Sequence, residues 1–330
     1  MVVFRTDRIG DLVLTLPAIA ALARSFPAGR VSAVVAPRTR DIVDGQPFLH
    51  EVFTWDGRTS TGPLIRWLRD RHFDAAILFY PRPRLAWAVW RARIPVRVGT
   101  GFRWYSALLN RRIRLRRKGT DRHEVEHSLD LIAPLGVKEG DPRLVPLVVS
   151  RDSTEDAALL LGRTGVEGGY AVVHPVGGGS ALNASPAHWG RIASAIEKTG
   201  VPVLVTGTLA DAATAAEVLR AAGMSSRRFV SPARLATLAA ILGGAQVVVG
   251  PSTGPMHMAA AMGRPTVTLF SPVRSQGPGR WRPYHRQGAV LLPEGVTCRA
   301  CLQGRCRRHH PMDTITPDRV LEAVRQATNA

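Results

Sequence analysis

Between Val247 and Gly263 the chain reads Val-Val-Val-Gly-Pro-Ser-Thr-Gly-Pro-Met-His-Met-Ala-Ala-Ala-Met-Gly, and Pro265-Thr-Val-Thr-Leu-Phe-Ser-Pro272 follows almost at once. The order is an apolar run, a Ser/Thr/Gly turn, a run of small residues and a second apolar run. It predicts a buried strand, a short turn, a helix and another strand. Pro255 suits an early helical position, where its missing N–H is no loss, and Thr253 or Gly254 can cap. Such a turn aims free backbone N–H groups at an anion, so Ser252, Thr253, Gly254, Pro255 and His257 become candidate contacts for a phosphate or carboxylate. His257 can equally serve only to cap a buried turn.

The alternation extends along the whole chain. Strands are expected at 2–5, 31–36, 74–80 and 96–99. The first two flank a helix carrying Leu12, Leu16, Ile19, Ala20 and Ala23, in which Pro17 marks a kink or a late start. A helix over 124–135 is closed by Gly136. The pattern restarts at 170–175, passes the Gly177-Gly-Gly-Ser180 loop and enters a helix over 186–199. There Trp189, Ile192, Ala193 and Ile196 share one face, with Ser185 as cap and Gly200 as stop. Further strands are expected at 201–206, 247–250 and 266–270. One restart implies an α/β fold of two doubly wound sheets facing a cleft. The 330 residues and 45% hydrophobic content suffice for two cores.

Three segments carry a resemblance. Ser252-Thr-Gly-Pro-Met-His257 before an Ala-rich helix is similar to the Asp/Ser-Thr-Gly-Pro-x-His segment of glycosyltransferase family 9, the heptosyltransferases. Arg5-Thr-Asp-Arg-Ile-Gly-Asp-Leu-Val-Leu-Thr-Leu-Pro-Ala18 resembles that family's opening strand, Gly-Asp turn and first helix, and Ile315-Thr-Pro-Asp-Arg-Val320 resembles its C-terminal pattern. The resemblance implies a GT-B enzyme built from two Rossmann-like domains. Residues 1–150 would bind the acceptor, 151–169 would link, 170–315 would bind a nucleotide-sugar, and a helix over 316–330 would pack back on the first domain. Asp11 would take the proton from the acceptor hydroxyl, although local sequence also suits it to cap the helix after it. The donor diphosphate would meet Gly178, Gly179, Ser180 and Asn183 besides the turn at Ser252. Asp211 is placed to accept from ribose hydroxyls or to be a solvated loop carboxylate. Two departures stand out. Asn183-Ala-Ser-Pro186 replaces a family segment that often carries Lys or Arg, and Ser252 stands where users of ADP-heptose commonly have Asp. The resemblance implies no required cofactor, an ADP-heptose or other nucleotide-sugar donor, and a lipopolysaccharide-core or other glycan acceptor.

Three motifs point elsewhere. His123-Glu-Val-Glu-His127 fits the His-Glu-x-x-His pattern of zinc proteases, with both histidines on one helical face. Cys298, Cys301 and Cys306 with His309 have the spacing of a structural zinc site or are three thiols in a reducing compartment. The net charge of +19 favours polyanions, although an Arg-rich proteome would inflate it. Arg111-Arg-Ile-Arg-Leu-Arg-Arg-Lys118 alternates like a strand with one basic face. With Arg82, Arg84, Arg91 and Arg93 it suggests docking on a phosphorylated glycolipid acceptor or the anionic inner membrane; of these, Arg82 and Arg84 are the candidate acceptor contacts. No helix-turn-helix, RNP or zinc-finger pattern supports nucleic acid as a partner. A non-catalytic anion-binding protein is the remaining reading. With neither signal peptide nor membrane span, a cytoplasmic location is expected, peripheral at most to the inner membrane.

Overall fold

The computed structural model describes residues 1–115, 121–137, 145–179, 182–284, 287–303 and 310–329. It divides into two compact units, Met1–Val148 and Val149–Ala330.

The first unit runs β1 (Val2–Arg5), α1 (Ile9–Val13), α2 (Leu16–Ser25), β2 (Ser32–Val35), α3 (Arg40–Val43), β3 (Glu51–Thr54), α4 (Gly62–Asp70), β4 (Ala75–Leu78), α5 (Pro83–Arg91), β5 (Val96–Thr100), a 3-10 turn (Trp104–Leu108), β6 (Arg111–Ile113) and α6 (Glu124–Ile132). Its six strands are parallel and ordered β3-β2-β1-β4-β5-β6. The central strands β1, β2 and β4 are buried at every position, as continuous short apolar runs demand when helices cover both faces. Pro17 marks a late start: α2 begins at Leu16 after α1 has ended, with the proline at its second position. One face of the sheet packs Phe4, Val34 and Leu78 against Leu64 and Leu68 of α4, Leu85 and Val89 of α5, and Tyr105.

The second unit runs α7 (Arg151–Gly162), β7 (Ala171–Val173), α8 (Pro186–Glu197), β8 (Val203–Thr206), α9 (Ala212–Ala222), β9 (Phe229–Val230), α10 (Leu235–Gly244), β10 (Val247–Pro251), α11 (Gly254–Ala261), β11 (Thr266–Leu269), α12 (Pro278–Trp281), β12 (Gly288–Leu291), α13 (Arg299–Leu302) and α14 (Pro317–Asn329). Its parallel order, β12-β11-β10-β7-β8-β9, repeats that of the first sheet when its strands are counted from β7. Ser185 caps α8, its Oγ accepting from the His188 N–H, and Trp189 on that helix is fully buried.

Helix α7 packs on α10 and belongs to the second unit. The closing helix α14 contributes to the second core, where Val320, Ala323 and Ala327 join Trp189 and Val267. Its packing partners are α8, β11 and β12.

In each sheet the strand order reverses beside the first strand, between β1 and β4 and between β7 and β10. Chain leaving the C-terminal ends of those strands diverges there and opens a crevice, where doubly wound folds bind ligands. Asp11, Arg82, Arg84 and the two candidate donor loops follow β1, β4, β7 and β10, whereas Asp211 follows β8.

Candidate active site

Arg5 ends β1 with its side chain 2% exposed. A guanidinium so placed requires counter-charge and acceptors. Asp7 Oδ1 lies 3.0 Å from Nε, while Asp11 Oδ1 and Glu124 Oε1 lie 2.6 and 3.6 Å from Nη2. Nη1 donates to the Phe79 carbonyl at 3.1 Å. The single arginine therefore ties together β1, the turn after it, the first turn of α6 and the end of β4.

Asp11 lies inside the first turn of α1, which starts at Ile9, so it is not the helix cap that local sequence allowed. Its side chain is 18% exposed, with one oxygen fixed by Arg5. The Thr15 hydroxyl donates to its backbone carbonyl at 2.7 Å. This is a preorganised carboxylate at the switch-point rim, suited to accept a proton. Burial pushes the Asp7 carboxyl up to about 6; Arg5 pulls against that rise and Asp11 adds to it. Arg5 and Asp7 went unremarked in the sequence reading. The signal for them was a charged residue closing an otherwise apolar strand, since a buried arginine must bring partners.

In the second unit, the turns after β7 and β10 meet. A Cβ on Gly177 would stand 3.8 Å from Thr253 Cγ2, so the glycine loop and the start of α11 share one rim. Gly178 and Gly179 are exposed, and Gly179 has φ +70°, which favours glycine. Ser180 lies outside the described residues. Ser252, Thr253, Gly254 and Pro255 are half-buried along the same rim, whereas His257 is buried on α11. The Thr253 hydroxyl turns back to the Pro251 carbonyl at 3.3 Å rather than capping α11. His174, at the end of β7, has Nδ1 3.0 Å from the Thr206 hydroxyl. Burial lowers its pKa to about 4, against a weaker upward pull from Asp211.

Two expected donor contacts have local duties. Asn183 donates from Nδ2 to the Pro175 carbonyl at 2.6 Å, and its Oδ1 accepts from the Ala184 N–H at 2.9 Å and Trp189 Nε1 at 3.1 Å. It struts the glycine loop against α8. Asp211 Oδ2 accepts from the Thr208 N–H at 2.8 Å and hydroxyl at 2.6 Å, closing the turn before α9. On the first unit, Arg84 is committed to the carbonyls of Gly57, Arg58 and Thr59 and lies over the Trp55 ring. Arg82 is exposed and stacks on Tyr80.

The zinc-protease pattern resolves into a helix start and an ion pair. His123 caps α6, its Nδ1 accepting from the Val125 N–H at 3.2 Å, and Glu126 Oε2 accepts from the His123 N–H at 3.2 Å. His123, Glu124 and His127 are 1, 0 and 2% exposed, and Glu124 pairs with Arg5, which leaves no open ligand position for a substrate water. Among the described residues, no three His, Cys, Asp or Glu side chains are placed to hold a metal. Of the cysteine cluster, Cys298 is half-buried and Cys301 buried, while Cys306 and His309 lie outside the described residues.

The first unit thus carries an arginine-bound carboxylate at its switch point, and the second a rim of glycines beside a helix start. The family model for "Glycosyltransferase family 9 (heptosyltransferase)" matches residues 62–311. The chain belongs to glycosyltransferase family 9. A Haemophilus influenzae protein provisionally named a glycosyltransferase is 26% identical over 300 residues, covering 86% of this chain and 85% of its own. Lipopolysaccharide heptosyltransferase 3 of Escherichia coli is 24% identical over 276 residues, covering 79% of each. Among solved structures, E. coli ADP-heptose lps heptosyltransferase II superposes with a TM-score of 0.80 at 19% identity, covering 99% of this chain and 98% of that one. This family 9 glycosyltransferase thus has the GT-B fold, with both of its Rossmann-like units accounted for.

Proposed function

We propose that this enzyme transfers a heptose from ADP-heptose to a hydroxyl of a lipopolysaccharide-core saccharide. The observation that carries the reading is the Asp11 carboxylate held by Arg5 at the switch-point rim of the first unit. Asp11 removes the acceptor proton, the acceptor oxygen bonds to the anomeric carbon, and the bond from that carbon to the diphosphate breaks with its electron pair on the phosphate oxygen. The departing charge is stabilised by backbone N–H groups at Gly178, Gly179 and the start of α11. The matching E. coli heptosyltransferase WaaC, solved with ADP and with ADP-2-deoxy-2-fluoro heptose, supports the choice of donor, as does the name of the heptosyltransferase 3 relative.

The test is a thermal-shift screen with ADP, GDP, UDP and their sugar conjugates, since a ligand bound only to the folded state raises its stability by mass action. Selective stabilisation by ADP and ADP-heptose is expected. Preference for another nucleotide would retain the transferase and replace the donor, and silence towards all of them would favour a non-catalytic anion-binding protein.

A further inference from the structure

Every exposed large aromatic side chain among the described residues lies in one stretch: Trp87 and Trp90 on α5, then Phe102 and Trp104 at the 3-10 turn. Trp104 is 82% exposed. The two elements pack together on the same face of the first sheet, where Leu85, Val89 and Tyr105 share a core. The Tyr105 hydroxyl donates to the Pro81 carbonyl at 2.8 Å, fixing the turn beside the start of α5. Burying these aromatics inside the unit is not needed for its core, which is already filled by the opposite side of α5.

The charge around them is one-sided. Between Asp74 and Asp121 the sequence holds eleven Arg, one Lys and no Asp or Glu. Of these, Arg91 at the end of α5, Arg93 just after it, Arg103 before the turn, Arg111 and Arg112 on the sheet-edge strand β6 and Arg114 just after it are exposed. Amphipathic rings with arginines among them match the boundary between lipid headgroups and acyl chains. Trp favours that boundary, and each basic side chain near an anionic surface adds attraction that salt screens. No helix among the described residues is long and apolar enough to cross a membrane, so contact through this face would be superficial.

We infer that the face formed by α5, the 3-10 turn and β6 docks the enzyme on an anionic lipid bilayer, with Trp87, Trp90, Phe102 and Trp104 entering the interface and the arginines on the headgroups. The bilayer contact stands independently of the donor and acceptor. Its benefit to catalysis rests on the proposed function: Pro81 follows Tyr80, whose N–H bonds to the Phe4 carbonyl at 3.2 Å, so the face adjoins the rim that carries Asp11. A lipid-borne acceptor would be met where it resides.

The experiment is co-flotation of the full chain with vesicles of phosphatidylcholine alone or with added phosphatidylglycerol, without nucleotide-sugar or glycolipid. The wild type is expected to float with the anionic vesicles at low salt and to be released at high salt. The doubles Trp87→Ser/Trp104→Ser and Arg103→Glu/Arg111→Glu should each lower the bound fraction about tenfold or more. Both should keep the wild-type melting temperature and transfer to a soluble acceptor. Absence of flotation, or flotation that both doubles leave intact, overturns the inference. So does flotation only when the vesicles carry a glycolipid, which would make the face an acceptor site. Tighter binding to an RNA oligonucleotide, lost in the same variants, would make it a nucleic-acid surface and overturn it as well.

Discussion

Arg5 is the residue on which the first site depends, because one buried guanidinium is the shared partner of three carboxylates. Replacing it by Gln should cost about 3–5 kcal/mol, the range for removing one partner of a buried ion pair. The loss should shrink as the pH falls and the stranded carboxylates take up protons; urea melts across pH test both points. Asn183 offers a second check at this scale. Asn183→Ala leaves the Pro175 carbonyl and Trp189 Nε1 without their partner, at about 1–3 kcal/mol. Because it also frees the glycine loop, it should raise the KM for donor more than it lowers kcat, which steady-state kinetics would show. His174 sets a pH dependence. Its folded pKa, about 4, lies below its ordinary 6.5, so its contribution is present above pH 6.5 and lost as the pH falls towards 4. That contribution is roughly 3 kcal/mol, and in His174→Gln the melting temperature should fall less steeply between those limits.

At the scale of elements, β10 and α11 show how tightly the donor rim is built. A Cβ at Gly250 would stand 2.9 Å from both the His174 carbonyl oxygen and Met256 Sδ, so β7 or the start of α11 would have to move. Gly250→Ala should cost about 1–3 kcal/mol and weaken nucleotide binding, read by chemical denaturation and calorimetry. This element was legible in the sequence, because its apolar run, turn and Pro255 each carry a local signal. The same holds for β1 and α8, while Pro17 left open whether α2 kinks or starts late. Strand β3 was not legible: Glu51-Val-Phe-Thr is half-buried at the sheet edge and lacks a continuous apolar run. The placement of α14 was illegible for a different reason. An amphipathic stripe records that a helix is buried on one side and says nothing about which sheet covers it. Among the proposed site residues, Asp11 and the Ser252 turn could be nominated from sequence because a motif surrounds them. The duty of Arg84 emerges only from partners distant in sequence, whereas Asn183 and Asp211 bond within a few residues, the latter in a Thr-x-x-Asp capping turn whose local signal competed with the donor reading.

For the whole molecule, the same strand order occurs twice, and each copy opens its crevice at the strand where that order reverses. One copy puts a carboxylate there and the other a turn rich in backbone donors. In the proposed mechanism, proton removal and anion holding therefore belong to separate units. The most direct test of this account measures acceptor-dependent ADP release from ADP-heptose by the wild type and Asp11→Asn, alongside donor affinity by calorimetry. Turnover in the variant should fall by about 10²–10⁴, the worth of a general base, while donor affinity stays within about twofold. Wild-type turnover in Asp11→Asn, or an equal loss of donor binding, would contradict the assignment of the base to the first unit and the donor to the second.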